Sequence, residues 1–156
     1  MSRLLLSRSL RAACAAVLLG AGPAAADACA AGPDLVVSAA DPAPVADGGS
    51  TLLHPLVTNA GGTATAEPFT LYVHLPPGVV GTGKSSGATC TTLPHGHTVA
   101  CTVPAGLAPG ASVAAEVRIS VASGMDPEVL DGEVEADLPD DPTPDNNSRT
   151  FRITIL

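Results

Sequence analysis

The stretch Gly78-Val-Val-Gly-Thr-Gly-Lys-Ser85 matches the phosphate-cradling pattern G-x-x-x-x-G-K-[ST] at every position. In such a loop, backbone N–H groups and a helix N-terminus hold the phosphates, the lysine neutralises charge and the hydroxyl ligates magnesium. Gly78, Gly83, Lys84 and Ser85 are the residues that would do this work. The chemistry needs a strand before the loop and a helix after it. "FTLYVHL" at residues 69–75 supplies the strand, but "SGATCTTLPHG" after Ser85 contains Gly87 and Pro94 and has no apolar stripe at helical spacing. The match is therefore read as a coincidence in a chain with sixteen glycines, placed in a flexible hairpin loop after the Leu75-Pro-Pro-Gly78 turn. No nucleotide or other cofactor is assigned.

Two other groupings invite a metal. His95-Gly96-His97 sets two imidazoles on the same side of an extended segment, yet zinc needs three or four protein ligands, and nothing brings His54 or His74 to join them. "DLPDDPTPDNNS" offers the oxygens of Asp137, Asp140, Asp141 and Asp145, with Asn146 and Asn147, to calcium, which takes six to eight. The spacing D-x-D-x-D-G is absent, and Pro139, Pro142 and Pro144 already dictate a solvated connection, with Asn146-Asn147 as a tight turn into the last strand. Hydrolytic chemistry lacks a frame, since neither G-x-S-x-G nor H-E-x-x-H occurs. Glu133 and Glu135 belong to the polar side of an alternating strand. Tyr72 is the one aromatic residue placed to face outward, in a chain with one Tyr, two Phe and no Trp.

The elements that must position these residues are strands. In "FTLYVHL", Phe69, Leu71, Val73 and Leu75 share one side and Thr70, Tyr72 and His74 the other. Alternation repeats with Val113, Ala115, Val117, Ile119 and Val121, with Val134, Ala136 and Leu138, and with Phe151, Ile153 and Ile155. Weaker strands are read at 35–39, 52–58 and 99–103, and a short one running into Cys90. Pro55 cannot donate to a ladder, so a bulge or an edge is expected there. Seven or eight strands and no helical period after residue 26 predict a two-sheet antiparallel β-sandwich.

Cys90 and Cys101 flank "TTLPHGHTVA", whose Pro94-His-Gly96 centre turns the chain back, and they are predicted to form a disulfide worth about 3 kcal/mol in the loop-entropy model. An oxidising compartment is also written into the N-terminus. Arg3, Arg8 and Arg11 precede an apolar run from Ala12 to Leu19, then Gly22-Pro23 and Ala24-Ala25-Ala26, the order of a secretory signal peptide. The run is shorter than the 20 or so residues that span a bilayer, so no membrane insertion is expected after cleavage. The organisation expected is signal peptide 1–26, linker 27–33 and one domain over 34–156, with 30 as a second cleavage point. Cleavage after Ala26 discards Cys14 and leaves Cys29 as a free or intermolecular thiol; cleavage after Ala30 discards Cys29 too. Residues 27–156 hold fifteen acids against the four bases Lys84, Arg118, Arg149 and Arg152, a net charge of −11. Such a surface repels nucleic acid and anionic lipid.

"PDLVVS" at 33–38, "VTNAGGTAT" at 57–65, "HLPPGV" at 74–79, the segment from Cys90 to Val113 and "DPTPDNNSRTFRI" at 141–153 follow one another in order. Together they resemble the bacterial surface module called domain of unknown function 11. The resemblance implies an immunoglobulin-like sandwich, secreted or held at the cell envelope, with a structural or adhesive role, a protein or cell-wall polymer as partner, and no catalytic residues. The alternative expectation is a diffusible binder, such as a protease inhibitor presenting the Cys90–Cys101 loop.

Overall fold

A computed structural model describes residues 32–156; the signal peptide and Cys29 lie outside them. These residues form eleven strands: β1 (Leu35–Ser38), β2 (Ser50–Leu53), β3 (Leu56–Asn59), β4 (Phe69–His74), β5 (Val79–Lys84), β6 (Thr89–Thr92), β7 (Thr98–Val103), β8 (Ser112–Ala114), β9 (Glu116–Val121), β10 (Val129–Asp137) and β11 (Ser148–Thr154). A single 3-10 turn, Pro144–Asn146, leads into β11. All ladders between named strands are antiparallel.

One layer is a five-stranded sheet in the order β11-β10-β4-β7-β6. The other is split into β1-β3-β8 and β2-β9-β5. Pro55 is the cause. It has no N–H to give, so the ladder between residues 50–59 and 112–121 lapses at His54-Pro55. Register survives the gap: Leu53 faces Val117 before it and Leu56 faces Ala114 after it. The N–H of Ala115 still donates to the Pro55 carbonyl at 3.0 Å.

The strand count exceeds expectation for two reasons. The runs at 52–58 and 113–121 are each cut in two by this lapse, and residues 79–84, expected in a loop, are β5. Alternation otherwise does as read. Phe69, Leu71 and Val73 of β4, Val117 and Ile119 of β9, Val134 of β10, and Phe151 and Ile153 of β11 point inward and are almost completely buried. With Leu35, Leu53, Val57, Val79 and Val99 they make one continuous apolar core between the layers. Burial of each such side chain contributes about 1.5–3 kcal/mol.

The free edge of β11 is covered. Val45 forms a parallel bridge with Ile155, its N–H donates to the Thr154 carbonyl at 2.9 Å, and Asp41 Oδ1 accepts from the Arg152 N–H at 2.8 Å. Such plugging removes a template for strand-on-strand aggregation.

Candidate interaction surfaces

Gly78, Gly83, Lys84 and Ser85 do not surround a cavity for phosphate. Gly78 is the left-handed end of a turn, and residues 79–84 pair along their whole length with β9, from Val79 opposite Val121 to Lys84 opposite Glu116. The glycine spacing has a packing origin. A Cβ on Gly81 would stand 2.7 Å from Leu75 Cδ1, and one on Gly83 2.6 Å from Val99 Cγ1. Both glycines face the core where neighbouring side chains already fill the space. Lys84 Nζ pairs with Glu116 Oε1 at 2.9 Å, and the Ser85 hydroxyl donates to the Ala114 carbonyl at 2.7 Å. The Lys84 hydrogen bond is the main reason the Glu116 carboxyl is held below its ordinary value of 4.5.

Cys90 and Cys101 are bonded and stand directly opposite each other on β6 and β7, with Cα atoms 3.9 Å apart. The turn above them is a Leu93–Gly96 hydrogen bond at 3.1 Å with His95 and Gly96 both at positive φ. Its far side is tied to β5: the Gly81 N–H donates to the Gly96 carbonyl at 2.9 Å, the Thr92 hydroxyl to the Gly81 carbonyl at 3.0 Å, and His97 Nδ1 lies 2.7 Å from the Val79 carbonyl. The hairpin thus closes one side of the sandwich. It also sends the two histidines to different surroundings: His97 is engaged with β5 while His95 is exposed at the tip.

The acidic segment is dispersed rather than gathered. Asp137 faces outward at the end of β10, and Asp140 and Asp145 are exposed. Asp141 is used by the backbone, its Oδ2 accepting from the Leu35 N–H at 2.6 Å and its Oδ1 from the Thr143 N–H at 2.8 Å. Asn146 Nδ2 donates to buried Asp34 Oδ1 at 2.9 Å, while Asn146 Oδ1 and Asn147 Oδ1 are buried without a protein partner. Among the described residues no group of three or more His, Cys, Asp or Glu is disposed to hold a metal ion, so the set Asp137, Asp140, Asp141 and Asp145 is not assembled as a site.

Sequence reasoning missed Asn59. Its fully buried amide uses every position it has: Oδ1 accepts from the Asp34 and Gly61 N–H groups, and Nδ2 donates to the Thr63 and Leu107 carbonyls at 2.8 Å each. The signal was there in "TNAGG", an amide before small residues that leave room for chains to cross. Thr65 does similar work, its hydroxyl accepting from the N–H groups of Gly106 and Leu107.

What remains open is the two outer faces. On the five-stranded sheet, β10 turns Asp131, Glu133, Glu135 and Asp137 outward at alternate positions. Glu135 stands opposite Tyr72 and Glu133 opposite His74 on β4. The Tyr72 and His74 rings stack at a centroid distance of 5.8 Å, and His74 Nε2 lies 3.8 Å from Glu135 Oε2. Arg152, opposite Asp131, is drawn to Asp41 at 3.5 Å.

The split layer differs. Its outer face carries Lys84 and Arg118 against one acid, Glu116, together with exposed Leu52 and Val80. Where the ladder lapses at Pro55, two depressions of about 470 and 720 Å³ adjoin and share His54. Lys84, Ser85, Ser86 and Glu116 line the first, and Leu56, Ser38 and Arg149 help line the second. Three of the four Lys and Arg side chains of the described residues therefore stand on or beside this face.

No protein-family model and no curated protein matches the sequence. Solved structures do. The chain is similar to a CARDB domain from Pyrococcus furiosus, solved in complex with di-metal ions, at 17% identity and TM-score 0.53, over 81% of this chain and 91% of that one. It is also similar to part of the full-length major pilin SpaD from Corynebacterium diphtheriae, at 9% identity and TM-score 0.50, over 80% of this chain and 34% of that one. At these identities the likeness concerns the fold, which is an immunoglobulin-like antiparallel β-sandwich.

Proposed function

We propose that this chain is an exported, non-enzymatic interaction domain of the bacterial cell envelope, related to the module called domain of unknown function 11. One observation carries the reading: a closed apolar core leaves two broad, open faces of contrasting charge, while Lys84, Ser85, Asp141 and His97 are engaged by neighbours within the fold and Asp137, Asp140, Asp145 and His95 stand dispersed and exposed. Open faces suit recognition of surfaces, whereas small-molecule chemistry uses concave pockets with converging polar groups. The order of strand and turn segments and the Cys90–Cys101 bond support placement outside the cytoplasm. The partner is a protein or a wall polymer.

Localisation tests this directly. A non-reducing immunoblot of washed envelope and culture medium from the native bacterium is expected to show the chain in the envelope. Recovery only in the medium, as a monomer, would instead favour the diffusible binder that presents Leu93, Pro94 and His95 at its hairpin tip.

A further inference from the structure

We infer that the split face of one molecule docks onto the acidic face of a second copy, so that molecules associate face to back in an open chain. The inference rests on the interaction-domain reading and names its partner. The complementarity is written on both surfaces. β10 presents four outward carboxylates, Asp131, Glu133, Glu135 and Asp137. Their side chains recur every two residues, a row of roughly 20 Å at strand rise. The opposite side of the same molecule carries Lys84 and Arg118 on adjacent strands, with Arg149 at the end of the neighbouring depression. Lys84 is 77% exposed, and its pairing with Glu116 leaves Arg118 without a carboxylate partner among the described residues.

Apolar groups accompany both rows. Leu52 and Val80 are exposed beside the cations, and Val129 is exposed at the head of β10. The two patches lie on opposite sides of one sandwich and differ from each other. Contact between them is therefore heterologous, and it repeats rather than closing on itself unless the rotation happens to close a ring. Net charge opposes the approach at long range. With net −11 over residues 27–156, copies repel in very dilute salt, while at physiological ionic strength the Debye length of about 8 Å screens that repulsion and leaves the attraction at contact. Association is expected to be weaker both at low salt and near 1 M salt than at intermediate salt.

Analytical ultracentrifugation of the secreted chain carrying Cys29→Ser tests this without interference from a disulfide-linked pair. Wild-type faces are expected to give a concentration-dependent series of species with that salt optimum. A variant with Lys84→Gln and Arg118→Gln, and a second with Glu133→Gln and Glu135→Gln, should each sediment as monomers. Their mixture should give one-to-one dimers and no larger species, because only one complementary pair of faces survives. Circular dichroism and melting curves confirm that each variant is folded. Monomeric wild type at millimolar concentration overturns the inference, as does association that persists in either variant alone. A chain that stays monomeric yet remains in the washed envelope refutes self-docking while leaving the interaction-domain reading intact.

Discussion

The two outer faces of this sandwich are built from the same alternation, yet they differ in what the outward positions carry. β10 lies between β11 and β4 and exposes an uninterrupted row of carboxylates beside the Tyr72–His74 stack. On the other layer, β5 and β9 interleave opposite charges, and Lys84 and Glu116 neutralise each other across the ladder. Cross-strand opposite charges favour a sheet, while like charges crowded on one strand do not. The charges of the split face therefore follow folding more closely, and the acidic row is the part that folding explains least. The five-stranded sheet is continuous, whereas the split one carries depressions beside His54 and the lapse at Pro55.

Breaking the disulfide should have the largest effect and should separate the faces. Replacing Cys90 and Cys101 by Ala together is expected to cost about 3 kcal/mol on the loop-entropy account, read by urea unfolding. Hydrogen exchange should rise first across residues 89–103, because that hairpin ties the edge strand β6 and its neighbour β7 in the five-stranded sheet to β5. Exchange rising equally in β10 and β11 would show that the faces do not loosen independently.

A smaller loss is expected from Asp141→Ala. It removes the acceptor of two backbone N–H groups, at Leu35 and Thr143, and unsatisfied donors of this kind cost about 1–3 kcal/mol. The charge of both faces is untouched, so the melting temperature should fall while association is unchanged. A calcium-dependent difference between this variant and wild type would reopen the acidic segment as a ligand loop.

Smallest is the acid response of the split face. The Glu116 carboxyl titrates below its ordinary 4.5 because of Lys84. Its contribution to stability is complete above that ordinary value and disappears as pH falls through the lowered one. Melting temperatures measured from pH 6 to pH 3 should decline slightly less steeply for Glu116→Gln than for wild type. Identical acid limbs would mean that the pair does nothing for the fold.

The fold was legible because its strands obey a period of two. Phe69, Val117, Val134 and Phe151 were assigned to the core from spacing alone, and the pairing of Cys90 with Cys101 from the turn between them. β5 was misread because Gly81 and Gly83, facing the core, erase the apolar half of the alternation and mimic a phosphate loop. Nothing local shows that Leu75 and Val99 fill those gaps. At the histidine pair, two successive positive φ angles at His95 and Gly96 make the turn that Pro94-His-Gly96 implied and leave His95 at the tip and His97 against β5. Asp34 meets Asn59 across 25 positions of chain and Leu35 meets Asp141 across 106, separations that no spacing rule spans. The acidic row was visible as alternation at Glu133 and Glu135, but its opposition to the cations of the other layer required the strand order.

The central claim is that this domain works through its outer faces, and one binding measurement addresses it most directly. Purified chain is mixed with washed envelopes of the native bacterium and sedimented, using wild type, Glu133→Gln with Glu135→Gln, and Lys84→Gln with Arg118→Gln. Retention is expected to drop at least tenfold, the equivalent of about 1.4 kcal/mol, in one or both variants while all three melt alike. Equal retention of all three would contradict the account and move the search to the hairpin tip and the depressions beside His54.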